Sequence, residues 1–325
     1  VAIAIIKKIE GSVYNSMPYR LAVARSKKII LPGFDGLPLY DVIKFFISQV
    51  KKVGLNDRAR SVSFSFLSAI PAAAIFLCTL IPYLPVAKEI QKQLLLITKD
   101  ITPNQNTYQL IKSFLEDFLT KQRVGLLSFG FVLAVFYSSN AMMGIMRSFN
   151  KSLIYNHKRN IFQNRWMAIK LTILIIAFVI GSVIILVTQD ELLKSLLKWM
   201  GVKSHSAKWL FKTLRWIIII PLFYYSIAFI YKYAPAVKKR WNLTSPGTLL
   251  ATVLIIATTL LFSYWVNKFG NYNKVYGSIG TILILMVLVY FNSLVLLIGY
   301  ELNVSIHHLK VMADERKGKE KNIKV

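Results

Sequence analysis

The chain offers four histidines, one cysteine and 14 carboxylates for metal or nucleophilic chemistry, and their spacing suits neither. His157 and His205 stand alone, and the neighbours His307 and His308 point about 100° apart on a helix, so they cannot clamp one metal. No H-E-x-x-H, G-x-S-x-G or phosphate-binding G-x-x-x-x-G-K-[ST] run occurs. The single Cys78 excludes a disulfide framework. We therefore expect no catalytic residue, no metal site and no cofactor, and read the chain as not an enzyme.

The remaining chemistry is that of polar groups in apolar surroundings. Ser68, Asn140 and Asn292 stand inside long uncharged runs, as do the helix-bending prolines Pro71 and Pro221. Glu301 closes the last of these runs, and Arg58, Arg60 and Arg147 lie at the edges of two others. We expect Glu301 to pair with one of those three arginines. Ser68, Pro71, Asn140 and Asn292 are candidates for a polar pathway.

Composition says what must position these groups. Of 325 residues, 55% are hydrophobic and 17% charged, yet 41 Lys and Arg against 14 Asp and Glu leave a formal charge of +27. Soluble domains carry about 25% charge, so this chain reads as apolar spans joined by cationic loops. A helix needs about 20 apolar residues to cross the hydrocarbon. Six stretches bounded by charges enclose 27, 23, 19, 16, 27 and 26 uncharged residues. They place spans at about 61–82, 124–146, 171–189, 216–231, 243–267 and 275–300. The fourth is short, but Trp216, Tyr224, Tyr225 and Tyr231 suit an interface, and Arg215 and Lys232 can snorkel. Runs such as 171–186 are apolar all round, which excludes the alternation of a transmembrane barrel. Val1–Ile6 is too short for the apolar core of a secretory signal. The expected fold is all-α, a polytopic membrane protein with six transmembrane helices plus amphipathic interfacial helices.

Six spans put both termini on one side. That side holds 27 basic residues and the other 14, so the termini are assigned to the cytoplasm. Segments 147–170 and 232–240 contain no acid, whereas 83–123 contains four. The charge is thus explained by topology and by anionic headgroups at the cytoplasmic face, with membrane lipids as partners and no nucleic acid. On a rise of 1.5 Å per residue, Ser68, Asn140 and Asn292 lie roughly 5, 8 and 6 Å to the cytoplasmic side of the midplane. Either each bonds a neighbouring helix, worth about 0.6 kcal/mol, or the three line a cavity for a substrate.

The parts outside the bilayer divide in three. Residues 1–58 form a cytoplasmic region in which Val42, Phe45, Phe46, Gln49, Val50 and Val53 recur at helical spacing, with Asp41 placed as a cap. This reads as an amphipathic helix on the inner leaflet. Residues 59–306 are the membrane domain, with amphipathic stretches at Tyr108–Leu119 and Leu192–Met200 read as packing on the bundle. Residues 307–325 form a basic tail, read as disordered from Asp314.

Six motifs in order resemble the YihY/BrkB family of bacterial inner-membrane proteins, formerly labelled ribonuclease BN. Leu67-Ser68-Ala69-Ile70-Pro71, preceded by Arg58 and Arg60, is similar to the family's L-S-x-x-P element. Ser138, Ser139 and Phe149-Asn150 resemble its small residues followed by L-N. Tyr231-Lys232-Tyr233-Ala234-Pro235 and Pro246-Gly247 match two further elements. Tyr272 with Tyr276-Gly277-Ser278-Ile279-Gly280, and Gly299-Tyr300-Glu301-Leu302-Asn303, resemble the last two. Phe149 and Tyr300 depart from the pattern, standing where the family has Leu and a small residue. The resemblance implies a six-span protein of the bacterial inner (plasma) membrane, with Tyr276, Gly277, Gly280, Glu301 and Asn303 as motif residues. Gly277 and Gly280 would allow close helix approach within the bundle or in a homo-oligomer. It also implies a role in moving or flipping a lipid-like or amphipathic envelope molecule, with a non-transporting scaffold or regulatory partner as the alternative.

Overall fold

The computed structural model describes residues 17–83, 87–101, 105–120, 122–153, 159–200, 204–237, 241–268 and 272–323. Some side chains lie outside the description, chiefly at 183–218, at 267–279 and beyond 316. The helices are α1 (Met17–Ser26), α2 (Leu39–Lys52), α3 (Leu55–Leu80), α4 (Ala87–Ile101) and α5 (Gln105–Thr120). After them come α6 (Val124–Asn150), α7 (Ile161–Met200), α8 (Ser204–Tyr233), α9 (Pro246–Lys268) and α10 (Tyr272–Ile323). Among the described residues there is no strand.

Among the described residues, five stretches are long and apolar enough to cross a membrane: Leu55–Tyr83, Val124–Asn150, Ile161–Ser182, Pro246–Val266 and Ile282–Arg316. The segment read as a fourth span lies in α8, whose side chains through 218 are outside the described residues. Pro71 and Pro221 sit inside α3 and α8, and both helices continue through them.

Three expectations about the outer parts change. Asp41 lies in the first turn of α2, while Pro38 occupies the N-cap position without a side-chain bond. The apolar stripe of α2 rests in part on protein. Val42, with Phe34, forms a buried cluster with Leu302 and Ile306 of α10, and Phe46 packs against it. Ile43 and Ile47 are what α2 leaves exposed. The reason is the third change: the tail read as disordered from Asp314 is helix, because α10 runs unbroken to Ile323. An α10 that outlasts its apolar run offers α2 a protein partner. The Leu192–Met200 stretch is the end of the continuous α7, with side chains outside the described residues. The other amphipathic stretch, in α5, packs on α3, with Leu119 buried.

The long helices close a ring in chain order. α3 packs on α6, α6 on α7, α7 on α8, α8 on α9, α9 on α10, and α10 returns to α3. A tight link sets α2 against α3: Gly54 takes the left-handed conformation (φ 63°, ψ 48°) that a side chain resists.

The ring is sealed at one end. The buried core draws on the start of α3 (Leu55, Ala59, Val62) and the end of α6 (Met142, Ile145, Met146, Phe149). Ala168 and Leu171 of α7, Ile227, Ile230 and Tyr231 of α8, Ala251 of α9, and Leu296, Leu297 and Tyr300 of α10 complete it. Away from this seal the packing changes. No residue is buried in 173–182 of α7, 219–226 of α8, 253–266 of α9 or 282–292 of α10, wherever a side chain is described. Over these stretches packing is looser, with partly buried Ile175, Phe223, Ile255 and Tyr290 still set against the core. Buried residues continue along α3 and α6, with Ala69, Ala72 and Phe76 on one and Gly130 and Ala134 on the other. The ring is packed most tightly at the end where α6 stops at Asn150 and α8 at Tyr233.

Candidate functional site

Three layers of named groups build the seal. The first is aromatic. Phe149 of α6 stacks on Tyr300 of α10, centroids 3.7 Å apart and planes 5° from parallel. Tyr231 of α8 meets Phe149 edge-on at 5.6 Å, and Trp241 meets Tyr300 edge-on at 5.2 Å. Such pairs add about 0.5–1.5 kcal/mol beyond the area they bury. The two residues that depart from the family pattern are thus each other's partner. Tyr231 donates its hydroxyl proton to the Leu296 carbonyl at 2.6 Å, tying α8 to α10.

The second layer is a crossing of α9 and α10 without side chains. A Cβ on Gly299 would meet the Ala251 Cβ and the Gly247 carbonyl oxygen at 2.6 Å, and the Tyr231 hydroxyl at 2.7 Å. A Cβ on Gly247 would in turn collide with the Gly299 carbonyl and with Asn303. Asn303 uses that proximity. Its Oδ1 accepts the Gly247 N–H at 2.8 Å, and its Nδ2 donates to Ser245 Oγ at 2.8 Å. Ser245 precedes Pro246 and accepts the Thr248 N–H at 3.4 Å, so the N-terminus of α9 is capped by its own chain and by α10 together. A cavity of about 330 Å³ lies beside this cap, lined among others by Asp35, Trp241, His307 and Lys310.

The third layer is ionic. Arg58 faces Glu301, Nη1 to Oε1 at 3.4 Å. Arg60 is exposed and pairs with Asp57, and Arg147 is exposed on α6. Arg58 also donates to Ser152 Oγ at 2.6 Å and to the Ser148 carbonyl at 3.2 Å. Ser152 in turn donates a hydrogen bond from its hydroxyl to Glu301 Oε1, so one carboxylate oxygen joins α10, α3 and the turn after α6. Glu301 is 1% exposed. Its other oxygen, Oε2, is buried with no hydrogen-bond partner among the described residues. Nothing in the sequence pointed to Ser152, a lone serine in a loop.

Arginine also fastens the rim. Arg159 donates to the carbonyls of Tyr233, Ala234 and Pro235 at 3.4, 3.2 and 2.9 Å, satisfying the C-terminal end of α8. Asn150 Oδ1 accepts the Ala236 N–H at 2.9 Å.

No hydrogen bond among the described residues links the four pathway candidates to one another. Ser68 and Pro71 are exposed on α3, and the Ser68 hydroxyl donates to the Ser65 carbonyl of its own helix at 2.9 Å. Asn140 accepts a bond from Arg165 of α7, whose guanidinium also lies 4.7 Å over the Phe136 ring. Asn292 is half-buried, and its Oδ1 has no partner among the described residues. Gly280 is buried in α10, while the Tyr276 and Gly277 side positions lie outside the described residues. Among the described residues no three His, Cys, Asp or Glu side chains gather where a metal ion could be held.

Comparison with known proteins addresses the same elements. The family model for Virulence factor BrkB matches residues 46–324, from α2 through the end of α10. The ribonuclease-like protein YfkH of Bacillus subtilis is 28% identical over 260 residues, 80% of this chain and 93% of that one. A UPF0761 membrane protein of Tolumonas auensis is 34% identical over 80 residues, 25% of this chain and 26% of its own. One from Vibrio cholerae is 28% identical over 103 residues, 32% of this chain and 34% of its own. No solved structure matches. With its membrane helices and nearly its whole length matched, the chain belongs to the BrkB virulence-factor family.

Proposed function

We propose that this protein spans the bacterial inner membrane six times, with both termini in the cytoplasm, and moves a lipid-like or amphipathic envelope molecule without chemically altering it. The single observation that carries the reading is uneven packing: six helices share one buried core, and four of them in succession have no fully buried described residue over the stretches beyond it, which we read as the walls of a funnel. α8 serves as the sixth span, because Arg215 and Lys232 bracket 16 uncharged residues within it. The sealed end carries the acid-free loops 147–170 and 232–240, so the positive-inside rule turns it to the cytoplasm and the funnel mouth outward. Apolar walls suit a molecule with acyl chains, and the cationic loops suit an anionic headgroup at the membrane surface.

The test is movement of a fluorescent phosphatidylglycerol across vesicles of phosphatidylethanolamine and phosphatidylglycerol holding the full-length protein, with a pH gradient imposed. A membrane-impermeant reductant bleaches only label on the outer leaflet. Bleaching that runs on into the inner-leaflet pool is the expected result. A plateau equal to that of protein-free vesicles, for the lipid and for a panel of lipid-linked envelope precursors, contradicts the reading.

A further inference from the structure

We propose that Glu301 is a proton-binding site that latches the seal, and that the proton is therefore the coupling ion of this protein. This rests on the transport reading above and adds its energy source. The geometry is specific. Glu301 Oε1 is held by Arg58 and by Ser152, whereas Oε2 is enclosed with no donor facing it. A structural ion pair has use for donors on both oxygens, since a buried carboxylate oxygen without one carries an uncompensated desolvation cost. A proton placed on Oε2 neutralises the carboxylate and so lowers the cost of burying its charge, in exchange for its charge pairing with Arg58.

The surroundings let this one group act as the switch. From α3 the charged neighbour is Arg58; from α8 and from α10 itself the titratable neighbours are Tyr231 and Tyr300. α9 carries no charged residue before Lys268, and the only charge on α6, Arg147, is exposed. The charged side chains of α2 are exposed as well, and His308 is turned toward Gln49 and Phe45. Protonation of Glu301 leaves Arg58 with Ser152 and the Ser148 carbonyl but without its carboxylate, so α10 loses its ionic tie to α3 and to the end of α6. The step is simple in its balance: one proton is taken up on Oε2 when the latch opens and given back when it closes. With 1% exposure the shut site is shielded from both sides, as a site loaded from one face and emptied to the other must be.

Hydrogen–deuterium exchange of the full-length protein in the same vesicles tests this, read on peptides covering 142–153 and 296–306. In wild type, exchange there should rise about tenfold between about pH 8 and about pH 5.5, after correction for the intrinsic effect of pH, as loss of a buried pair's energy implies. Glu301→Gln, which mimics the protonated form, should exchange at the fast rate at both pH values. Glu301→Asp should keep the dependence, which guards against a Gln variant that merely folds poorly. Equal exchange at both pH values in wild type, or a Gln variant that still responds to pH as wild type does, overturns the proposal. Exchange needs no cargo to move, so a pH-blind seal in a protein that moves lipid defeats this inference alone. A pH-sensitive seal in a protein that moves nothing defeats the transport reading.

Discussion

Replacing Arg58 with Met should lower stability by about 3–5 kcal/mol, the loss expected when one partner of a buried ion pair is removed. Arg58 is 12% exposed and Glu301 2% by side chain, so water cannot stand in for the lost guanidinium. Three bonds disappear together, to Glu301, Ser152 and the Ser148 carbonyl. The double variant Arg58→Met/Glu301→Gln should recover most of the loss, because an uncharged pair of similar volume no longer leaves a charge unmatched. Thermal unfolding of the four proteins in one detergent measures the coupling. If the double variant is as unstable as the two single losses added together, the latch is not a pair. Arg60→Met is the control, since that guanidinium is exposed and its pairing with Asp57 is worth little.

The second large effect is expected at Gly299, where helix propensity and packing predict opposite signs. Alanine in an exposed helix interior is favoured over glycine by about 0.8–1 kcal/mol. At Gly181, where a Cβ meets nothing within 4 Å, Gly→Ala should therefore be neutral or stabilising. At Gly299 the same methyl would press on Ala251, the Gly247 carbonyl and the Tyr231 hydroxyl, two helices at once. Overpacking costs about 1–3 kcal/mol, and here the helices must part, which also strains the bond from Gly247 N–H to Asn303. Gly299→Ala should lose stability by about 2–4 kcal/mol in all. Unfolding midpoints for Gly181→Ala and Gly299→Ala that move in the same direction would contradict the close crossing.

These sites show which parts of the structure could be read from the sequence. Charge-free windows depend on composition alone, so the long helices fall where the windows lie. Which helix neighbours which does not follow from composition, and the ring became visible only in three dimensions. The depth argument placed Arg58, Arg60 and Arg147 near Glu301, but depth says nothing of rotation about the helix axis. Rotation separates buried Arg58 from exposed Arg60 two residues on. Depth is equally silent on surroundings: Ser68 and Asn292 share a depth, yet Ser68 is exposed on α3 while the Asn292 oxygen is enclosed on α10. Asn140 was claimed by a residue counted as loop. α7 begins at Ile161, so Arg165 already sits on the helix and reaches the end of α6. The departures Phe149 and Tyr300 read separately as irregularities, and their stacking explains both.

Single-cysteine labelling in a Cys78→Ser background tests the proposed funnel most directly. Phe223, Ile255 and Leu294 are half-buried on three consecutive ring helices and pack on the outer side of the core. Ile145 and Val62 are fully buried within it. Cysteines at the first three positions should react with a membrane-impermeant maleimide supplied from the side opposite the termini and resist it from the terminal side. Cysteines at Ile145 and Val62 should resist it from both. Reaction of the first three from the terminal side, or from neither side, would show that the helices enclose no outward-facing space.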